Sequence, residues 1–119
     1  MPNRSSTSVR HDAVPLERVV DAARTWATRL RAEHPEIVRI GYFGSYATGR
    51  YVPGSDFDVL IEVSERPSER RGDRADRYRP ERFPVGVELF VYTGDELDRA
   101  RRERSAFIGE IDRHILWLE

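Results

Sequence analysis

The chain has no cysteine and no lysine; all 20 of its basic residues are arginine. Without cysteine there is no disulfide, no thiolate metal site and no thiol nucleophile. Without lysine there is no lysine nucleophile and no lysine clamp for phosphate. Long hydrophobic runs are missing too. No apolar stretch approaches the roughly 18 residues of a membrane span. The opening MPNRSSTSVRHD lacks the apolar core of a signal peptide. Nor is there an excess of one charge. The net charge is −1, so no global field draws nucleic acid or an acidic membrane. A soluble cytoplasmic protein, without direct nucleic-acid binding, is the expectation.

At 119 residues, the chain suggests one domain. Apolar residues make up 39% and charged residues 34%, enough for a modest core under a charge-dense surface. A large separate substrate domain does not fit in this length. Residues 1–12 are polar and read as a flexible tail, leaving 13–119 as the single domain.

Pro15 suits a first helical turn. Leu16, Val19, Val20, Ala23, Trp26, Ala27 and Leu30 then recur at helical spacing, predicting an amphipathic helix over about 15–33. It should stop near His34, because a residue before proline is pushed out of the helical region. Residues 37–43 read as a strand, 44–54 as turns with a single helical turn over 46–50, and 57–63 as a second strand.

Residues 64–82 hold seven arginines and five acids, with only Ala75 and Tyr78 as plausible anchors. A solvated loop or a short frayed helix is the expectation, with a contact surface for a partner as the alternative. Residues 85–92 alternate Val85, Val87, Leu89 and Val91 with Gly86, Glu88, Phe90 and Tyr92, predicting a third strand. Thr93 followed by Glu96 has the capping-box spacing. Helix is expected over about 95–104 and again over about 106–118, with Ser105 as a cap. The order predicts an α/β (α+β) domain, a small mixed sheet of three to four strands flanked by helices.

The second strand opens on Asp56-Phe57-Asp58. Residues i and i+2 of a strand share a face, so the two carboxylates lie side by side, roughly 6–7 Å apart along the backbone. Unpaired, they repel, and partial burial worsens the repulsion. A hard divalent cation such as Mg²⁺ would relieve it, because such ions are held by one or two carboxylates plus substrate phosphates. Alone, D-x-D is weak, since surface strands often begin with an acid. Gly44-Ser45 upstream strengthens it. Backbone N–H groups at such a turn can hold phosphate oxygens, and glycine permits close approach. A plain turn for Gly44 and a plain helix cap for Ser45 are the bland alternatives.

Gly44-Ser45, ten intervening residues, then Asp56-Phe57-Asp58 resembles the signature of the DNA polymerase β-like nucleotidyltransferase superfamily. Over about 15–118 the chain resembles the small stand-alone members, the minimal nucleotidyltransferases, which often occur as antitoxins paired with HEPN-domain toxins. The resemblance implies that fold and two Mg²⁺ ions held by three carboxylates. Two match Asp56 and Asp58. The third is usually an aspartate in a V-D-L-like stretch. Here Val87-Glu88-Leu89 offers Glu88, one methylene longer, with a solvent-facing strand residue as the bland alternative. The resemblance further implies that Gly44 and Ser45 hold the nucleoside triphosphate. The family often has an arginine before the second glycine; this chain has Thr48 there and Arg50 just after Gly49. A solvated Arg50 is the simpler reading. The implied chemistry is in-line attack of a hydroxyl on the α-phosphate of a nucleotide such as ATP, with Glu88 helping to deprotonate the acceptor.

Glu62 shares the face of Asp56 and Asp58 but lies about 13 Å beyond Asp58, too far for the same ion. His11, His34 and His114 show no paired spacing and read as surface or helix-end residues. Trp26 and Trp117 read as core. Tyr42 and Tyr46 flank the Gly-Ser pair, where either packing or contact with a base or ribose is open. Phe107, Ile108, Ile111, Ile115 and Leu118 form a stripe at helical spacing, core by default, with part of it available to a partner or a second copy. The functional expectation is transfer of AMP, or another NMP, to a hydroxyl, in the antitoxin version a tyrosine of a helical HEPN toxin. One alternative is a weakened member that neutralises its partner by contact alone. Another is small-molecule modification, as in antibiotic nucleotidyltransferases, which usually add a second domain for the acceptor.

Overall fold

The structure, a computed structural model, describes residues 12–64 and 71–118. Residues 1–11 of the expected tail and 65–70 of the arginine-rich segment lie outside the described residues.

Helix α1 (Leu16–Glu33) follows Pro15 and buries the stripe that its spacing predicts, from Val19 to Leu30. It gives way at His34, before Pro35, to strand β1 (Ile37–Phe43). A single helical turn, α2 (Ser45–Thr48), separates β1 from β2 (Phe57–Val63). A 3₁₀ segment (Arg71–Arg77) leads to β3 (Val87–Thr93), which starts two residues later than the alternation suggests. Helices α3 (Gly94–Arg102) and α4 (Ala106–His114) follow, then a short strand β4 (Leu116–Leu118).

The four strands lie in the order β3-β2-β1-β4. β2 and β3 are parallel, and β1 is antiparallel to both β2 and β4. The expected small mixed sheet is therefore present. One face carries Phe57, Val59, Ile61 and Val63 against α1, in a core that also takes in Trp26, Tyr46, Tyr78, Leu89 and Val91. The other face carries Phe43 and Leu60 against Leu97 of α3 and Ile108 and Ile111 of α4.

Both caps form as expected. Thr93 Oγ1 accepts from Glu96 N at 3.1 Å while Glu96 Oε1 accepts from Thr93 N at 2.9 Å, and Ser105 Oγ accepts from Ile108 N at 3.2 Å. Such caps contribute about 1 kcal/mol each.

The end of the chain differs from the expected single helix over 106–118. The chain leaves the helix at Ile115 (ψ 137°) and pairs Leu116, Trp117 and Leu118 with Tyr42, Gly41 and Ile40. The reason lies on β1. A Cβ at Gly41 would come within 2.7 Å of the Trp117 ring and 2.8 Å of Ile115, so the missing side chain makes room for them. Trp117 is half-buried, with the Arg39 guanidinium 3.8 Å from its ring centroid, a cation–π contact.

The described part of the arginine-rich segment is anchored by Ala75 and Tyr78, as expected, and also by an arginine. Arg74 is buried beneath α3, and its guanidinium donates to Glu96 Oε1 and Oε2 at 2.6 and 3.0 Å and to Val91 O at 3.2 Å. Arg79 Nη1 donates to Val87 O at 3.1 Å. Two carbonyls of β3 thus end on arginine side chains. Among the described residues no helix is long and apolar enough to cross a membrane.

Candidate active site

The motif residues meet at one end of the sheet, where β1 leaves and the parallel strands β2 and β3 enter. The register sets Phe43 opposite Asp58 and Asp58 opposite Glu88. Gly44 follows Phe43 directly. Phe57 N donates to Gly86 O at 2.8 Å, so the two parallel strands enter side by side, with Asp56 next to Gly86.

Two glycines open the space that these carboxylates use. A Cβ on Gly44 would sit 2.2 Å from Asp58 Oδ2, and one on Gly86 would sit 2.4 Å from Asp56 Oδ1. Gly44 also has φ 76° and ψ −154°, a backbone region essentially restricted to glycine. Its carbonyl accepts from Ala47 N and Thr48 N at 3.0 and 3.1 Å, which holds the turn of α2. The sequence stretch Phe43-Gly44-Ser45 thus fixes both the turn and the room beside Asp58.

Burial of Asp58, and then the negative charges of Glu88 and Asp56, push its carboxyl up to about 6, with a hydrogen bond to Glu88 adding to the rise. Asp56 and Glu88 are exposed and Asp58 is half-buried. This is like-charge crowding that a cation relieves. Among the described residues, no three carboxylate or imidazole side chains already stand grouped around an ion-sized space. The donor set is entirely carboxylate oxygen, and the two glycines leave its oxygens clear of Cβ atoms. That chemistry fits a hard divalent cation.

Gly44 and Ser45 also line a cleft of about 660 Å³, together with Phe43, Thr48, Arg50, Glu110 and His114. The C-terminal half of α4 contributes Glu110 and His114 to it. His114 Nε2 lies 3.1 Å from Glu110 Oε2, and Glu110 Oε1 accepts from Arg113 Nη2 at 2.7 Å. Reading by motif passed over Glu110 and took His114 as a helix-end residue, which it is, at the end of α4. The signal available was their i, i+4 spacing, three residues after Phe107 and so on the same helical stripe. Arg50 is exposed, but it faces this cleft rather than open solvent alone. A second cleft, of about 590 Å³ between α3 and α4, contains none of the motif residues.

The other candidates separate cleanly. Tyr42 and Tyr46 are buried and pack: Tyr46 stacks on Tyr51 with centroids 4.3 Å apart and donates to Val14 O at 3.0 Å, and Tyr42 lies 5.0 Å from the Phe57 ring. Glu62 stands apart from the site, paired with Arg39 at 2.9 Å. His34 packs edge-on against Tyr78 with centroids 4.9 Å apart. His11 lies outside the described residues.

The comparisons with known proteins bear on the family and the fold. A family model for the nucleotidyltransferase domain matches residues 24–115, a span that holds Gly44, Ser45, Asp56, Asp58 and Glu88. A search of curated proteins finds no significant match. Among solved structures, the fold is similar to that of a Sulfolobus solfataricus protein provisionally assigned as a nucleotidyltransferase. The TM-score is 0.57 at 20% identity, over 83% of this chain and 85% of that one. The family in general uses a nucleoside triphosphate and a divalent metal. With the matched span covering most of its length, the chain belongs to the nucleotidyltransferase domain family and is an enzyme of that type.

Proposed function

We propose that this enzyme is a minimal nucleotidyltransferase that moves AMP from ATP, in the presence of Mg²⁺, onto the hydroxyl of a tyrosine in a partner HEPN toxin, and so acts as its antitoxin. The observation that carries the reading is the register pair Asp58–Glu88, with Asp56 and Gly44 at its sides. Asp56, Asp58 and Glu88 would hold the metal, two ions in the full form of the site. When bound, the metal supplies charge neutralisation at the α-phosphate and the leaving pyrophosphate.

The remaining work falls to the chain. Gly44 and Ser45 seat the triphosphate beside the carboxylates. Glu88, the most exposed member of the register pair, accepts the proton of the acceptor hydroxyl. The freed oxygen forms a bond to the α-phosphorus, and the bond from that phosphorus to the pyrophosphate oxygen breaks. Asp58 must be ionised to contribute, and ligand deprotonation of this kind accompanies metal binding.

Incubation with labelled ATP, Mg²⁺ and the protein encoded next to it tests the reading. Label should appear on the partner with the wild type and vanish with Asp58→Ala. Absence of transfer with every nucleotide tried would sink it.

One observation favours a second reading, neutralisation by contact alone. Glu88 stands where the family usually has aspartate. If Asp56→Ala still neutralises the partner, contact suffices.

A further inference from the structure

One face of α4 looks onto the cleft and is not explained by the motif. Glu110 and His114 line it together with Gly44 and Ser45. Phe107, one turn earlier on the same stripe, packs on Phe43 and Phe90 with centroids 6.1 and 5.0 Å apart. Phe43 itself borders the cleft. The helix therefore presents an aromatic contact first, then a carboxylate, then an imidazole.

A carboxylate in the wall of a site for a polyanion needs a reason. An ionised glutamate accepts hydrogen bonds and donates none, and it repels phosphate. It belongs beside a part of the ligand that is uncharged and rich in donors. With the triphosphate seated at Gly44 and Ser45, the first such group along a nucleotide is the sugar, whose 2′- and 3′-hydroxyls are donors within a few bonds of the α-phosphate. Glu110 is held ready for this. Arg113 takes one of its oxygens at 2.7 Å and His114 lies 3.1 Å from the other. Each oxygen keeps a further acceptor position. Both partners come from the same helix, so the carboxylate is oriented without help from the ligand.

We infer that Glu110, oriented by Arg113 and His114, accepts hydrogen bonds from the ribose hydroxyls of the bound nucleoside triphosphate and selects ribonucleotides over 2′-deoxyribonucleotides. The inference rests on the nucleotidyl-transfer reading above and adds to it the sugar class of the donor. Hydrogen bonds to charged groups contribute on the order of tenfold or more in affinity.

Calorimetric titration with Mg²⁺ present, using ATP and 2′-deoxy-ATP on the wild type, Glu110→Ala and Asp58→Asn, provides the test. Glu110 is exposed on its helix, so folding should survive the change, and circular dichroism checks that it does. The wild type should bind ATP about tenfold tighter than 2′-deoxy-ATP. Glu110→Ala should make the two affinities equal, with 2′-deoxy-ATP losing only the contribution of its 3′-hydroxyl. Equal affinities in the wild type, or a preference that survives Glu110→Ala, overturns the inference while leaving nucleotide transfer standing. Failure of the wild type to bind either nucleotide overturns both, and Asp58→Asn marks that case by behaving no differently from the wild type.

Discussion

The two faces of the sheet are built to different rules. Toward α1, strand β2 presents Phe57, Val59, Ile61 and Val63, all fully buried and all apolar. Toward α3 and α4 the same strand presents Asp58, Leu60 and Glu62, so that a single buried leucine stands between two acids. Glu62 has a cation, Arg39 at 2.9 Å. Asp58 has Glu88 and Asp56 instead, and its carboxyl rises to about 6 through burial first and then their charge. One face is organised for stability. The other gives up part of its core at one end to hold unneutralised acids, as expected where stability is traded for chemistry.

That contrast can be broken most sharply at Asp58. Asp58→Asn should lower nucleotide transfer by about 10³-fold or more, while the melting temperature holds or rises, because crowding with Glu88 and Asp56 is relieved. A labelled-nucleotide assay beside a thermal melt reads both. Gly44→Ala comes next. Its Cβ would lie 2.2 Å from Asp58 Oδ2 at φ 76°, so transfer should fall by about 10²-fold from misplacement of the carboxylate. Strain should also cost about 1–3 kcal/mol in a denaturant titration.

The opposite result is expected on the α1 face. Ile61→Ala should destabilise by about 2–5 kcal/mol and leave turnover per folded molecule within a few-fold of normal. Loss of turnover at full folding would erase the distinction between the faces. Removing Glu96 should act on stability alone, at about 3 kcal/mol, because it takes the carboxylate from the buried Arg74 and opens the α3 cap.

The smallest effect concerns pH. A hydrogen bond from Arg101 holds the Asp112 carboxyl below its usual value. A group with a lowered folded value contributes stability above its unfolded value and loses it as pH falls through the folded one. Asp112→Asn should therefore lower the melting temperature slightly at neutral pH and not at all in strong acid.

Much of this was legible in the sequence because it was local. The α1 stripe, the Thr93–Glu96 box, Gly44-Ser45 and Asp56-x-Asp58 all speak within a few residues. Glu88 was reached only through resemblance, since its place opposite Asp58 is a matter of strand register. The place of Glu110 and His114 in the cleft was signalled only by their i, i+4 spacing on the α4 stripe, because they meet Gly44 and Ser45 only once α4 packs on the sheet. Strand β4 was misread as helix for a related reason. Three residues are too few to tell a period of 2 from one of 3.6, and Ile115 and Leu118 continued the stripe of α4. Among the described arginines between residues 71 and 82, nothing marked Arg74 as the buried one, since its partner Glu96 lies in another element.

Arg79 and Arg74 occupy the carbonyls of Val87 and Val91 on the outer side of β3. A fifth strand arriving there would have to displace a guanidinium first, one of them buried and held by a carboxylate. Growth of the sheet by self-association, the common hazard of an uncovered border, is therefore opposed on that side.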